Sequence, residues 1–313
     1  MAAHFAVKSM TLILRDADTG GAPLSLAVER LRERGIEVTA EVASERVGAV
    51  SLAEKAAANA GEAGTKAIVA AGGDGTLNEV VNGAFQPARE YEFGVGVVPL
   101  GTANDFARQC RIPPEDPQEA LEIIARGRVA WIDLGRMNDR LFVNNAIGGF
   151  IAEISSETSS VLKKMIGPAA YLVQGLANVN GLSARHMKIT APEREWEGDA
   201  LLLIVANGGM SGSMAKISEF TRINDGLLDV CVLPDMPFSQ ALSVGDHVRR
   251  GGALSLAQDV IYFQTPWLEV QSKALQVNLD GQPFSGDSLR FDTVERCVPF
   301  FMPLNHENPA FIR

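Results

Sequence analysis

Ala67-Ile68-Val69-Ala70-Ala71-Gly72-Gly73-Asp74-Gly75-Thr76-Leu77-Asn78-Glu79-Val80-Val81 is the stretch from which the rest of the chain can be read. A short apolar run breaks at a glycine turn and resumes with helical spacing. Gly72, Gly73 and Gly75 admit backbone conformations closed to other residues and let a ligand approach the main chain. Thr76, followed three residues later by Glu79, has the spacing of a capping box, so the sequence predicts a helix that begins at Thr76. The unpaired N–H groups of a first helical turn, with the helix dipole behind them, form an anion site whose natural occupant is phosphate. A carboxylate such as Asp74 inside that cradle repels its guest unless a cation or a bridging proton donor lies between them. The stretch therefore predicts Mg²⁺ together with a nucleotide. The competing reading is an ordinary strand–turn–helix corner with glycines for packing; Asp, Thr and Glu together weigh against it.

On the N-terminal side, Met10 to Leu14 reads as a buried strand, and Leu24, Val28 and Leu31 recur at helical spacing before Gly35. Ile36 to Val42 alternates as a strand, and Leu52 to Ala60 is an alanine-rich helix. On the C-terminal side, Phe93 to Val98 is a further strand, running into Pro99-Leu100-Gly101-Thr102-Ala103-Asn104-Asp105-Phe106-Ala107. There Thr102 is the expected N-cap, with Asp105 three residues on. The alternation of strands and helices predicts a doubly wound parallel sheet whose two glycine loops share one crevice.

Pro117 to Arg126 reads as a helix, and beyond Ile132 the texture changes. Short strands follow: Leu141 to Ala146, His186 to Thr190, Ala200 to Ala206, Leu227 to Val232, Val260 to Phe263, Leu268 to Gln271, Leu275 to Leu279 and Leu289 to Asp292. Helical patterns interrupt them at Ala169 to Val179 and Phe238 to Val248. The pattern predicts an α/β domain over 1–132 and a β-sandwich-like domain over 133–296, with residues 297–313 returning to the first.

Composition limits the function classes. The 313 residues are 46% hydrophobic and carry a formal charge of −10. That charge argues against a nucleic-acid partner and against broad adhesion to anionic lipid. Cys110, Cys231 and Cys297 are scattered, have no metal-ligand spacing and suit a reducing compartment. The first ten residues do not read as a secretory signal. No apolar run nears the roughly 20 residues of a membrane span.

Taken with the two glycine loops, Ile132-Asp133-Leu134-Gly135, Asn144-Asn145-Ala146-Ile147-Gly148-Gly149-Phe150, Ala206-Asn207-Gly208-Gly209, Asn224-Asp225-Gly226-Leu227-Leu228-Asp229 and Asn278-Leu279-Asp280-Gly281 resemble the diacylglycerol kinase catalytic family, most closely the bacterial YegS-like lipid kinases. The glycine-Asp loop is shared with NAD kinases and the wider phosphofructokinase-like group; the block from Gly101 to Phe106 is narrower. The resemblance implies an ATP- and Mg²⁺-dependent phosphotransferase acting on the hydroxyl of a diacylglycerol- or phosphatidylglycerol-like lipid. It further implies a nucleotide-binding α/β domain of the phosphofructokinase and NAD kinase type paired with a β-sandwich-like lipid-substrate domain, the active site lying between them. Carried over by position, Ser44 (a Thr in most of the family), Gly72, Gly73, Asp74, Gly75, Thr76, Leu77, Asn78 and Thr102 hold ATP. Asp225 binds Mg²⁺, or Ca²⁺ or another divalent ion, through its side chain, and Arg222 and Leu227 do so through backbone carbonyls. By the same resemblance the protein is cytoplasmic and meets its lipid peripherally at the inner face of the membrane. Lys163-Lys164 and Arg249-Arg250 are then candidate head-group contacts against the plainer reading of solvated charge. The oligomeric state stays open.

Two departures stand out. The family's Asp-Gly-Glu, whose Glu is taken as the general base, here reads Asp280-Gly281-Gln282, and a neutral amide cannot accept a proton. Three readings follow: Asp280 is the base or a metal partner; transfer proceeds slowly without a base; or the protein binds nucleotide and lipid without turnover. A small-molecule kinase of the NAD kinase type is a further alternative. The second departure is Met210 to Glu219, where glycines and a Pro are usual; it bears on the substrate loop.

Overall fold

The computed structural model describes residues 2–4, 6–44, 46–60, 66–85, 91–149, 184–211 and 215–303. The expected helix at Ala169 to Val179 and the Lys163-Lys164 pair lie outside them. The chain divides into two units, residues 1–134 with 295–313, and residues 135–294.

In the first unit, β1 (Ala2–His4), β2 (Ser9–Leu14), α1 (Gly21–Glu33), β3 (Glu37–Val42), α2 (Ala49–Ala58), β4 (Lys66–Gly72), α3 (Asp74–Ala84), β5 (Phe93–Pro99), α4 (Asp105–Gln109) and α5 (Pro117–Ala125) follow in order. β6 (Arg128–Met137) then leads out of the unit. β2, β3, β4 and β5 pair in parallel in the order β3-β2-β4-β5. Beyond β5, Val95 pairs in parallel with Phe300, near the end of the last strand. α1 packs on α5 and α2 on α3, so the sheet is clothed by helices in the doubly wound manner. Every residue of β4 from Ala67 to Gly72 is buried, which is why the run shows no polar alternation. α1 turns Leu24, Ala27, Val28 and Leu31 inward and is followed by Gly35 at φ 81°, the left-handed terminator its position predicts.

The second unit is built from β7 (Arg140–Phe142), β8 (Asn145–Gly149), β9 (Arg185–Ala191), β10 (Arg194–Ala206), β11 (Met210–Ser211), β12 (Ala215–Lys216), β13 (Leu228–Pro234), α6 (Phe238–Arg249), β14 (Ile261–Thr265), β15 (Trp267–Leu279) and β16 (Gln282–Phe301), which re-enters the first unit at Glu295. β10 and β15 each bond three partners along their length. The first half of β10 pairs with β9 and its second half with β8 and β13. β15 likewise pairs with β9 early and β8 late, so these strands form a closed circuit around a core. Leu203 and Val205 of β10 face that core with Val230, Val270 and Phe291. Leu202 and Ile204 face the opposite way, against α6 residues Ala241, Val244 and Val248. β10 is thus buried on both faces, which explains the unbroken apolar run of Ala200 to Ala206.

Three sequence expectations change here. Leu141 to Ala146 is not one strand but is split between β7 and β8. Leu268 to Gln271 and Leu275 to Leu279 are one strand, β15, interrupted by a register shift. At that shift Ala274 sits at φ 48° and donates its N–H to Asp287 Oδ1 at 2.7 Å. Leu289 to Asp292 is likewise only the middle of the 20-residue β16. Among the described residues no helix is long and apolar enough to cross a membrane.

Candidate functional site

β4 and β5 are neighbours, with Gly72 opposite Pro99, so the two glycine loops leave adjacent strand ends. Leu100 N–H donates to Gly72 O at 2.9 Å and starts the contact between them. It tightens at Gly73 and Gly101, where a Cβ built on Gly101 lies 2.4 Å from Gly73 Cα and one on Gly73 lies 3.1 Å from Gly101 Cα. No side chain fits there; glycine is required for the close approach of two backbones.

α3 starts earlier than the capping-box spacing predicts. Its N-cap is Gly73, in extended conformation, and Asp74 is its first residue; no side chain caps it. Thr76 is therefore inside the first turn, buried, with its hydroxyl packed over Gly72, where an added Cβ would lie 2.4 Å from Oγ1. Neither Gly75 N–H nor Thr76 N–H bonds a described residue, and a Cβ on Gly75 meets nothing within 4 Å. Two main-chain donors at the positive end of an eleven-residue helix thus stand ready for an anion, the chemistry a nucleotide phosphate requires. Leu77 contributes differently: its side chain is in the core and its N–H already donates to Gly73 O at 3.0 Å. Asn78 is buried too, and its Oδ1 accepts from Asn82 Nδ2 at 3.1 Å.

Asp74 has a role that its sequence position does not disclose. Its Oδ2 accepts Asp105 N–H at 3.1 Å and its Oδ1 accepts Phe106 N–H at 3.2 Å. The carboxylate from the first loop caps the helix after the second. The expected cap, Thr102, is exposed instead, and the N-cap is Asn104 at φ 51°. Asn104 closes its own loop, accepting Gly101 N–H at 3.0 Å and donating to Gly101 O at 2.9 Å. Asn tolerates the left-handed region where Thr, β-branched, does not. Replacing Asp74 by alanine removes the cap and frees two amides. A stability lowered by about 1–2 kcal/mol, read by urea denaturation, is the expected result. Ser44, at the end of β3, is exposed; its hydroxyl accepts Val47 N–H at 3.1 Å in a tight turn.

In the second unit, Asp280 and Gly281 join β15 to β16 as a two-residue hairpin, both at positive φ (45° and 95°), with Leu279 paired to Gln282. The Asp280 side chain is buried and turned onto β8 and its approach: it accepts Val143 N–H at 2.6 Å, Asn144 N–H at 3.1 Å and Asn145 N–H at 2.9 Å. The geometry gives Asp280 an anchoring role, beside the expectation that it serves as base or metal partner. Gln282 is half-buried, and its amide makes no hydrogen bond to a described residue.

The Arg222–Leu227 turn holds the residues for which a cation-binding role is expected. Asp225 Oδ1 accepts Leu227 N–H at 3.0 Å in a side-chain turn, and Gly226 follows at φ 77°. The carbonyls of Arg222 and Leu227 receive no hydrogen bond from any described residue. One carboxylate and two uncommitted carbonyls form an all-oxygen set of the kind hard divalent cations prefer. Among the described residues no cluster of three or more His, Cys, Asp or Glu offers an alternative. Directly after the turn lies Asp229, 1% exposed, a carboxylate the motif reading leaves without a role. Burial raises its pKa against the opposing pull of Tyr262 and nearby hydroxyls. Arg249 and Arg250 both pair with Asp246, at 2.6 and 2.7 Å, as surface charges do. The thiols of Cys231 and Cys297 are each pushed up to about 12 by desolvation, so neither supplies a thiolate nucleophile at neutral pH.

Comparison with known proteins extends this picture to the whole chain. The pattern of the diacylglycerol kinase catalytic domain matches residues 17–137, and that of the YegS C-terminal NAD kinase beta sandwich-like domain matches residues 147–303. A protein of Pseudomonas aeruginosa named probable lipid kinase YegS-like is 38% identical over 93% of each chain. One of the same name from Yersinia enterocolitica is 35% identical over 95% of this chain and 97% of its own. The fold is shared with a crystal structure titled as a putative diacylglycerol kinase from Bacillus anthracis, at TM-score 0.77 and 20% identity, covering 96% of this chain and 97% of that one.

Proposed function

Because the chain belongs to the diacylglycerol kinase catalytic-domain family, in its YegS-like branch, we propose that it is a lipid kinase that transfers the terminal phosphoryl group of ATP to a hydroxyl of a diacylglycerol- or phosphatidylglycerol-like lipid. The observation that carries the reading is the pair of uncommitted amides at Gly75 and Thr76, held where two glycine loops meet. The first unit binds the nucleotide: the amides take the phosphate, Asp74 fixes the second loop, and Ser44 and Thr102 offer exposed hydroxyls to the rest of the molecule. The second unit brings the acceptor. Asp225 with the carbonyls of Arg222 and Leu227 would hold Mg²⁺ or a similar divalent cation, which when bound supplies positive charge to that turn.

Asp280 fixes the strand start at Asn144 and Asn145, and Gln282 occupies the position of the missing base. Phosphoryl transfer rests chiefly on positioning and charge stabilisation, so the chain works slowly, the hydroxyl proton leaving late to solvent or phosphoryl oxygen. Gln282→Glu is expected to raise kcat by about 10²-fold, since a general base contributes roughly 10²–10⁴. An unchanged rate shows that the position carries no proton transfer. No activity before the change and strong activity after it favours the reading of a binding homologue without turnover.

The lipid is met peripherally, at the inner face of a membrane, without a nucleic-acid partner. The test is product analysis after incubation with MgATP and micelles of short-chain diacylglycerol or phosphatidylglycerol, with NAD in parallel. Phosphorylated lipid without NADP is expected; NADP with inert lipids assigns the chain to the small-molecule kinases instead.

A further inference from the structure

A polar chain runs beneath the Arg222–Leu227 turn and ends on a buried carboxylate. Phe220 N–H donates to Ser218 Oγ at 3.0 Å, Ser218 Oγ–H donates to Tyr262 Oη at 3.1 Å, and Tyr262 Oη–H donates to Asp229 Oδ1 at 2.5 Å. The ring of Phe220 lies over that of Tyr262 with centroids 6.1 Å apart. Ser218, Thr221 and Asp229 are all buried, at 3%, 5% and 1% exposure. Asp229 Oδ2 and Thr221 Oγ1 have no hydrogen-bond partner among the described residues.

The placement along the chain is what matters. Ser218, Phe220 and Thr221 form the stem entering the turn. Asp229, second residue of β13, forms the stem leaving it, and Tyr262 sits on the adjacent strand β14, paired with Cys231. A buried ionisable group is costly unless it is bonded, and groups on both stems converge on this one. The turn they close presents the carbonyls of Arg222 and Leu227, whose direction depends on how the stems are held.

We propose that Asp229 and Tyr262 are positioning residues for the cation turn, fastening its two stems so that the Arg222 and Leu227 carbonyls and the Asp225 carboxylate face one point. The assignment rests on the reading of that turn as the cation site. Neither residue touches the cation; they act by preorganising its ligands, as outer partners do in metal sites generally, where loss of one costs about 10–100-fold in affinity.

Terbium luminescence with the full chain, with Mg²⁺ and Ca²⁺ as competitors, tests it, because terbium reports both affinity and the number of water molecules left on the ion. Wild-type protein is expected to bind saturably, and Asp225→Ala is expected to lose that signal. Tyr262→Phe is expected to weaken binding about tenfold and to raise the hydration number. Ser218→Ala, one link further out, is expected to do so by a smaller factor, and it carries the test if Tyr262→Phe does not fold. Wild-type affinity and hydration in these variants, with Asp225→Ala silent, overturn the positioning role alone. Undiminished binding by Asp225→Ala overturns the turn as the cation site, and the positioning role with it.

Discussion

Gly101→Ala is expected to lower the affinity for MgATP at least about 100-fold, because ångström-scale misplacement of a binding group has costs of that order. The methyl group arrives 2.4 Å from Gly73 Cα and 3.1 Å from Gly73 N, backbone atoms that cannot swing aside, and 2.9 Å from Asn104 Oδ1. The loops must part, and the Asp74 bonds to Asp105 and Phe106 N–H, which span them, lengthen or break. Overpacking of this kind costs about 1–3 kcal/mol in stability. Calorimetric titration and thermal melting read the two effects separately. Gly75→Ala controls for helix effects, since its Cβ enters open space and its folding is expected to be undisturbed. A Gly101→Ala protein that binds MgATP normally removes the backbone contact from the account.

The second large effect is at Asp280. Alanine there leaves the N–H groups of Val143, Asn144 and Asn145 without their carboxylate in a buried place. Each orphaned donor costs about 1–3 kcal/mol, and with partial relaxation the sum is about 3–5 kcal/mol. Asp280→Asn separates anchoring from base chemistry. Asn tolerates the positive φ of the hairpin but keeps one acceptor oxygen and turns an NH₂ group toward amide donors. Anchoring predicts a clear loss of stability in both variants by urea unfolding. A base predicts an inactive Asp280→Asn enzyme with wild-type stability, and that result contradicts the anchor.

Much of the fold is legible because burial writes itself into residue order. The apolar run from Ala67 to Ala71 marks a strand by its composition alone, and the spacing of Leu24, Val28 and Leu31 marks a helix. Chain reversals are also visible where glycine is obligatory. What the sequence hides is the use of polar atoms across the chain. Thr76 and Glu79 have capping-box spacing, yet the helix starts at Asp74 after Gly73 as N-cap, and Thr76 packs over Gly72. Asp74 looks like a phosphate-loop carboxylate and is found capping a helix 31 residues away. Asp280 looks like an acid–base group and is found holding amides 135 to 137 residues away. In both, the residue type is informative and the partner is not, since a carboxylate accepts from any donor that tertiary structure supplies. Asn104 carries a signal, the tolerance of Asn for the left-handed region. Tyr262 carries none, because its role depends on β14 lying beside β13.

In the proposed function the first turn of α3 receives phosphate on the amides of Gly75 and Thr76. Titration of ¹⁵N-labelled protein with MgATP, followed amide by amide in two-dimensional NMR spectra, tests it at those atoms. Saturating downfield shifts of the Gly75 and Thr76 amide protons are expected, absent when adenosine replaces ATP. Saturation that leaves these two amides unmoved while others shift contradicts it.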